Sequence, residues 1–338
     1  MYHIFHIHSF VTKECCYAYI DKQKIAKDLC IFICARGMQE IHYTCVPYEK
    51  IQYLDWQGGA KKMNPIKFRA KLRSLLEELV EEKEFVYYTP NFCIDIALAF
   101  INHPSCSQYY LIEEGTISFY PPSYRVGNNR ILGKLNLPYL LNSLLYRMCF
   151  RGFKGAFPLR QNHRKYAGAL KISKGVFPSH NNSISLNARW ERHFFDIPES
   201  KVDTLLVFDG TVESGRVDPY RYIITLLKKC IEVVRDKKSK IIHYKLHPAQ
   251  DKRLMLPEYL GDVMFVKLGD EVCLESLCFR DQPALIFCLS SVSIYVKSYC
   301  QEFHCVLPSI IEEDAKTQAR FKNIGTTEKK ALFELYGI

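Results

Sequence analysis

Apolar and polar positions change their period along the chain, and the changes sort it into strands and helices. Residues 2–11, 28–35, 41–46, 85–89 and 108–113 are short runs rich in β-branched and aromatic side chains and read as strands. Residues 65–84 set Phe68, Leu72, Leu75, Leu76 and Leu79 on one stripe, the spacing of an amphipathic helix, and residues 92–101 form a shorter, nearly all-apolar one. Residues 136–150 also read as helical. From 152 to 183 the periodicity is lost among Gly, Pro, Ser, Asn and basic residues, which predicts loops and short helices in a connection long enough to be functional. Alternation returns with a strand at 202–208 and a helix at 219–234, opened by Asp218 as N-cap and Pro219 in the first turn. Strands at 240–246, 263–266 and 284–289 and helices at 271–278 and 291–300 follow.

Strands alternating with helices predict parallel sheets flanked by helices. The expected fold class is α/β, as two Rossmann-like lobes facing each other across a cleft. Residues 1–198 form the first lobe and 199–338 the second, with the last helix expected to pack back on the first.

Composition narrows the class. With 338 residues, 48% hydrophobic and 13% aromatic, the chain can bury a sizeable core, which excludes disorder, and 16 Gly with 15 Pro exclude a fibrous or linker-dominated protein. The 14 cysteines include no CxxC pair and sit mostly in apolar contexts, so they read as reduced core thiols of a cytoplasmic protein rather than a disulfide framework or a zinc site. The first residues lack the basic region and small-residue cleavage site of a signal peptide, and no run of about 18 apolar residues occurs.

The net charge of +10 is local. From Gly115 to Trp190 there is no Asp or Glu, and the twelve Lys and Arg between residues 125 and 189 exceed the whole net charge, leaving the rest slightly acidic. Such a field suits an anionic substrate, a polyanion or a membrane surface, or is simply a solvated face. No helix-turn-helix, RNA-recognition or zinc-finger signature accompanies it, so no nucleic-acid partner is expected.

Ligands of open α/β sheets bind beyond the carboxyl ends of the strands, and four strand ends carry candidate chemistry. Glu113, Glu114 and Gly115 follow an apolar strand; paired carboxylates supply a general base, or they form an acidic turn. Lys245, His247 and Pro248 end another strand. Period-2 alternation puts the Lys and His on one face, suited to a phosphate, although a locally satisfied histidine fits as well. Ser290 and Ser291 join a buried strand to a helix, as an anion site or an ordinary N-cap. Asp209, Gly210, Thr211 and Glu213 open the second lobe, where the Gly-Thr turn can approach a phosphate or be a routine turn. His3, His6 and His8 read as strand-end or core histidines rather than metal ligands.

In this order, acidic-acidic-Gly, His-Pro and Ser-Ser on a two-lobe α/β chain, the sequence resembles the bacterial sialyltransferases of the GT-B type in glycosyltransferase families 52 and 38. The resemblance spans Glu113 to Ser291. It implies an inverting, metal-independent transferase that moves sialic acid from CMP-sialic acid to a terminal sugar, galactose, of a lipooligosaccharide or capsule. It implies Glu113 as general base and His247 as the group that protonates or hydrogen-bonds the leaving phosphate. CMP would be held by Gly210, Thr211, Lys245, Pro248, Glu275, Ser290 and Ser291, with Glu275 on the ribose. Glu114, Gly115, Asp209 and Glu213 are reserve candidates. The donor is a substrate, and no cofactor or metal is expected, since CMP carries a single phosphate and no DxD motif ends a strand. The expected partners are the nucleotide sugar, an oligosaccharide acceptor and, through residues 125–189, the inner membrane face. Rival readings keep the fold with another nucleotide sugar, or make the chain a non-enzymatic polyanion- or membrane-binding protein.

Overall fold

The computed structural model describes residues 1–34, 50–53, 70, 74–75, 77–80, 83–90, 97, 100–101, 103–114, 118, 164–177, 182–208, 219–247, 256–288, 290 and 292–313. The chain divides into two compact units, Met1–Arg189 and Trp190–Ile338. The division falls before residue 199 because the short 3-10 segment Trp190–Asp196 belongs to the second unit: Ser276 donates its hydroxyl to the Trp190 carbonyl at 2.8 Å, and Phe194 lies 6.2 Å from Phe279.

The first unit is built on a seven-stranded parallel sheet of order β3-β2-β1-β4-β5-β6-β7. The strands are β1 (Tyr2–Ile7), β2 (Cys30–Cys34), β3 (Lys50–Tyr53), β4 (Phe85–Thr89), β5 (Cys106–Ile112), β6 (Tyr166–Lys171) and β7 (Ser183–Ser185). β2 and β4 are buried throughout, as strands covered on both faces must be. One face packs Ile4, Ile31, Tyr87, Phe100 and Leu111; the other packs Phe5, Phe32, Tyr88 and Ile112 against a helix, α1 (Phe10–Gln23).

That helix corrects the expectation of a strand running to Val11. Ser9 is its N-cap and forms a capping box with Thr12: the Thr12 N–H donates to the Ser9 hydroxyl at 3.2 Å, and the Ser9 N–H to the Thr12 hydroxyl at 3.0 Å. Lys24 closes it in the left-handed conformation at φ 53°. Nine of its residues are buried, Lys13 and Glu14 among them, so no apolar stripe marks it in the sequence. A second correction concerns residues 152–183, read as loops and short helices: they contain β6 and lead into β7. The expected strand at 41–46 and helix at 136–150 lie outside the described residues.

The second unit has a six-stranded sheet of order β10-β11-β9-β8-β12-β13, parallel except for the β10/β11 pair. Its strands are β8 (Thr204–Val207), β9 (Ile241–Lys245), β10 (Tyr259–Leu260), β11 (Val263–Lys267), β12 (Ala284–Phe287) and β13 (Glu302–Cys305). α2 (Pro219–Val234) buries Tyr222, Leu226, Cys230 and Val234 at four-residue spacing against Leu206, Ile242, Tyr244 and Ile286. α3 (Leu274–Asp281), α4 (Val292–Val296) and α5 (Leu307–Glu313) complete it. Asp218 lies outside the described residues, as do residues 314–338, on which the expectation of a last helix packing back falls. All eleven described cysteines are free thiols, and no described helix is long and apolar enough to cross a membrane.

Candidate functional site

Each sheet reverses its direction of growth once. In the second unit the chain goes from β8 to β9 on one side and returns to β12 on the other, so the topological switch lies between β8 and β12. Three of the four sequence motifs therefore end on three adjacent strands, β9, β8 and β12. The loop after β8, with Asp209, Gly210, Thr211 and Glu213, lies outside the described residues, as do Pro248 and Ser291.

Ser290, just beyond β12, is buried and works as a cap. Its hydroxyl accepts the Val292 N–H at 3.4 Å, and its carbonyl accepts the Ser293 N–H at 3.2 Å and the Ser293 hydroxyl at 2.7 Å. The helix it starts has only five residues, so it brings a much smaller dipole than the expected helix over 291–300.

Lys245 and His247 part company. His247 is exposed beyond the end of β9. The Lys245 side chain is instead buried, and its ammonium donates to the carbonyls of Asp270, at 3.0 Å, and Val272. Burial pushes its pKa down, opposed by Cys273, Glu275, Asp270 and Glu271. An ammonium committed to two loop carbonyls fixes the approach to α3 rather than reaching for a phosphate. That loop delivers Glu275 into the first turn of α3, where it is 5% exposed. Burial raises its carboxyl above the usual range, and its own backbone N–H and Lys245 offset part of the rise. The Cys273 thiol donates to the Glu275 Oε2 at 3.5 Å, and Ser276 donates to the Cys273 sulfur at 3.1 Å.

The first unit has its switch between β1 and β4. Glu113, just past β5, is fully buried, and its Oε2 accepts the backbone N–H groups of Ile172 at 2.7 Å and Ser173 at 3.0 Å, beyond β6. The Cys15 thiol lies in its field. Glu114 points elsewhere: its Oε1 comes within 2.9 Å of the His8 Nε2. Sequence reasoning placed His8 among strand-end or core histidines, and the pairing was not legible because His8 and Glu114 are 106 positions apart. His6 bonds the Tyr87 hydroxyl at 3.0 Å and His3 that of Tyr88 at 2.8 Å, and no group of three metal-ligating side chains occurs among the described residues. Gly115 lies outside the described residues.

Of the basic residues between 125 and 189, Lys165 is inward: it donates to the carbonyls of Ile101 at 3.0 Å and His103 at 2.8 Å, and burial lowers its pKa. Arg164, Lys174 and Arg189 are exposed, with Arg189 4.0 Å from Asp21.

No protein-family model and no curated protein matches the sequence. Among solved structures, a protein assigned as a UDP-N-acetylglucosamine 2-epimerase of Listeria monocytogenes superposes with a TM-score of 0.50 over 99% of this chain and 90% of its own, at 7% identity. The UDP-GlcNAc 2-epimerase of Neisseria meningitidis bound to UDP-GlcNAc gives 0.48 over 99% and 90%, at 10% identity. The 2,6-sialyltransferase of Photobacterium sp. JT-ISH-224, in complex with CMP and lactose, gives 0.45 over 86% and 68%, at 9% identity. The Listeria likeness shows the fold, two Rossmann-like α/β units of the GT-B class, as the alternation of strands and helices predicts.

Proposed function

We propose that the protein is an inverting GT-B glycosyltransferase that moves sialic acid from CMP-sialic acid to a terminal galactose of a bacterial surface glycan. The observation that carries this reading is the second unit's carboxyl edge. His247, the loop after β8 and Ser290 end three neighbouring strands around the switch point, and Glu275 is held buried at the start of α3 by the Lys245 loop. That set offers an exposed imidazole for a leaving phosphate and a carboxylate for ribose hydroxyls.

In this reading a carboxylate takes the proton of the acceptor hydroxyl, whose oxygen attacks the anomeric carbon. The bond to the phosphate breaks, CMP leaves with the electron pair, and the configuration inverts in one displacement. One phosphate leaves less charge to neutralise than two, which suits His247 without a divalent ion. The exposed arginines and lysine of the acid-poor stretch suit the anionic donor or glycan, or an anionic membrane face.

The test is thermal shift of the full chain with CMP, CDP, UDP and GDP, followed by transfer from CMP-sialic acid to lactose. CMP at a hundredfold excess over its Kd stabilises a binding protein by about 2.7 kcal/mol. Stabilisation by CMP with transfer supports the reading. Stabilisation by UDP or GDP alone replaces the donor with a diphosphate sugar, and salt-sensitive binding to anionic vesicles without any nucleotide response overturns the enzyme reading.

A further inference from the structure

We infer that Cys278 and Cys300 form a reversible disulfide, with a low-molecular-weight disulfide such as oxidised glutathione as the oxidant, and that the bond locks α3 to the segment after α4. The inference lies within the second unit and stands whether or not the chain transfers sialic acid. Geometry carries it. Cys278 is on α3, and Cys300 follows the end of α4 by four positions. Their thiols are hydrogen-bonded to each other. Their chain neighbours Phe279 and Tyr299 pack edge to face, with ring centroids 5.1 Å apart and planes at 89°. The backbone around both is fixed: the Gln282 N–H donates to the Cys278 carbonyl at 3.1 Å, the Cys300 N–H to the Val296 carbonyl at 3.2 Å, and the Gln301 N–H to the Pro283 carbonyl at 3.2 Å. Sulfurs already side by side bond by rotating their side chains, without a rearrangement of the fold.

Access singles out this pair. Cys278 is fully buried, whereas Cys300 is partly exposed. Among the other described cysteines only Cys305 is also partly exposed, and its thiol donates to the Cys288 carbonyl at 3.3 Å. The hydrogen bond from Cys278 lowers the Cys300 pKa, and the same bond together with burial raises that of Cys278 well above the usual thiol range. Cys300 is therefore the attacking thiolate and Cys278 the resolving thiol. In the first step the Cys300 thiolate attacks one sulfur of oxidised glutathione, the S–S bond breaks, and one glutathione leaves as a thiolate that takes up the proton Cys300 had released. In the second, the Cys278 sulfur attacks the Cys300 sulfur and passes its proton to the departing second glutathione. Two protein thiols are oxidised, and one glutathione disulfide is reduced to two thiols. The ring so closed contains β12 and Ser290, and α3 carries Glu275 three positions before Cys278, so the bond tightens the carboxyl edge of the second sheet.

The experiment holds the full chain in glutathione buffers from reduced to mostly oxidised, blocks the remaining thiols, and maps peptides without reduction. A linked Cys278–Cys300 peptide is expected in the oxidised buffers. The melting temperature is expected to rise by roughly 5–10 °C, the range for closing a loop of about 20 residues in a unit of this size, and dithiothreitol should reverse both changes. Cys278→Ala is expected to retain glutathione on Cys300, and Cys300→Ser to take up none on Cys278. Should Cys278→Ala fail to fold, wild type and Cys300→Ser decide the matter. Absence of the linked peptide, or glutathione retained on Cys300 of the wild type, overturns the pair. A linked peptide with an unchanged melting temperature overturns the lock. No readout uses a nucleotide, so failure of the transferase reading leaves the result intact.

Discussion

Glu113 accepts the backbone N–H of Ile172 at 2.7 Å, and through it the end of β5 is fastened to the end of β6. With the Ser173 N–H on the same oxygen, the carboxylate caps a strand that has run out of ladder partners. Glu113→Ala leaves two half-buried donors without their acceptor and is expected to cost about 1–3 kcal/mol, with Gln recovering roughly half, because hydrogen bonds to charged groups are worth more than neutral ones. Chemical denaturation checks this; a loss under about 0.5 kcal/mol, the size of an ordinary surface substitution, refutes the clamp.

Gly168 lies inside β6 with φ 155°, and a Cβ there would meet the Asn182 carbonyl oxygen at 2.2 Å. That carbonyl accepts the Ala169 N–H at 3.0 Å, so the clash falls on the β6/β7 junction. Gly168→Ala is expected to destabilise the first unit by about 1–3 kcal/mol, the usual range for overpacking. An unchanged melting temperature would argue against the close approach.

His243 is buried on β9, and its Nδ1 has no hydrogen-bond partner among the described residues. Burial lowers its pKa below 6.5, with Asp281 and Asp203 opposing. The unfolded chain then holds the proton more readily than the folded one. This group's contribution to stability is full above pH 6.5 and is lost as pH falls through the folded value. His243→Gln should flatten the decline in stability between pH 7.5 and 5; parallel curves for the two proteins count against the assignment.

Thiol reactivity separates the cysteines. Burial pushes Cys30, Cys106 and Cys230 up to about 12 and holds Cys15 and Cys16 well above the usual thiol range. At pH 8 a thiol with a pKa near 12 is ionised in about one molecule in ten thousand, so these five are expected to resist iodoacetamide until the protein is denatured. Cys300 is only partly buried, and the hydrogen bond from Cys278 pulls it down, so it should label first among the described cysteines. Peptide mapping decides; early labelling of Cys15 or Cys16 contradicts their burial.

The sequence pattern was a good guide where a helix has two distinct faces or a strand is a bare apolar run. The four-residue spacing of Tyr222, Leu226, Cys230 and Val234 announces α2, and the bare apolar runs at 85–89 and 284–287 announce β4 and β12. It failed where a helix is covered on all sides or a strand lacks a bare apolar run. α1 hides its period because both faces are covered, and β6 hides among glycines and cations. For the candidate site, positions at strand ends were legible and side-chain commitments were not. Nothing local in the sequence says that Lys245 turns inward to two carbonyls, or that Glu114 and not Glu113 meets a histidine 106 positions away.

The strand order also dictates when each sheet can close. β1, made first, pairs with β2 on one side but must wait for residues 85–89 on the other; β8 likewise pairs with β9 and waits for residues 284–287. On a growing chain each central strand therefore carries one bare apolar edge for some 80 residues of synthesis, a span in which β-rich chains are prone to stray pairing. The seam that keeps each central strand waiting is its switch point, so mutations that slow folding at β4 or β12 should leave misassembled molecules whose damage is concentrated at the ligand edge.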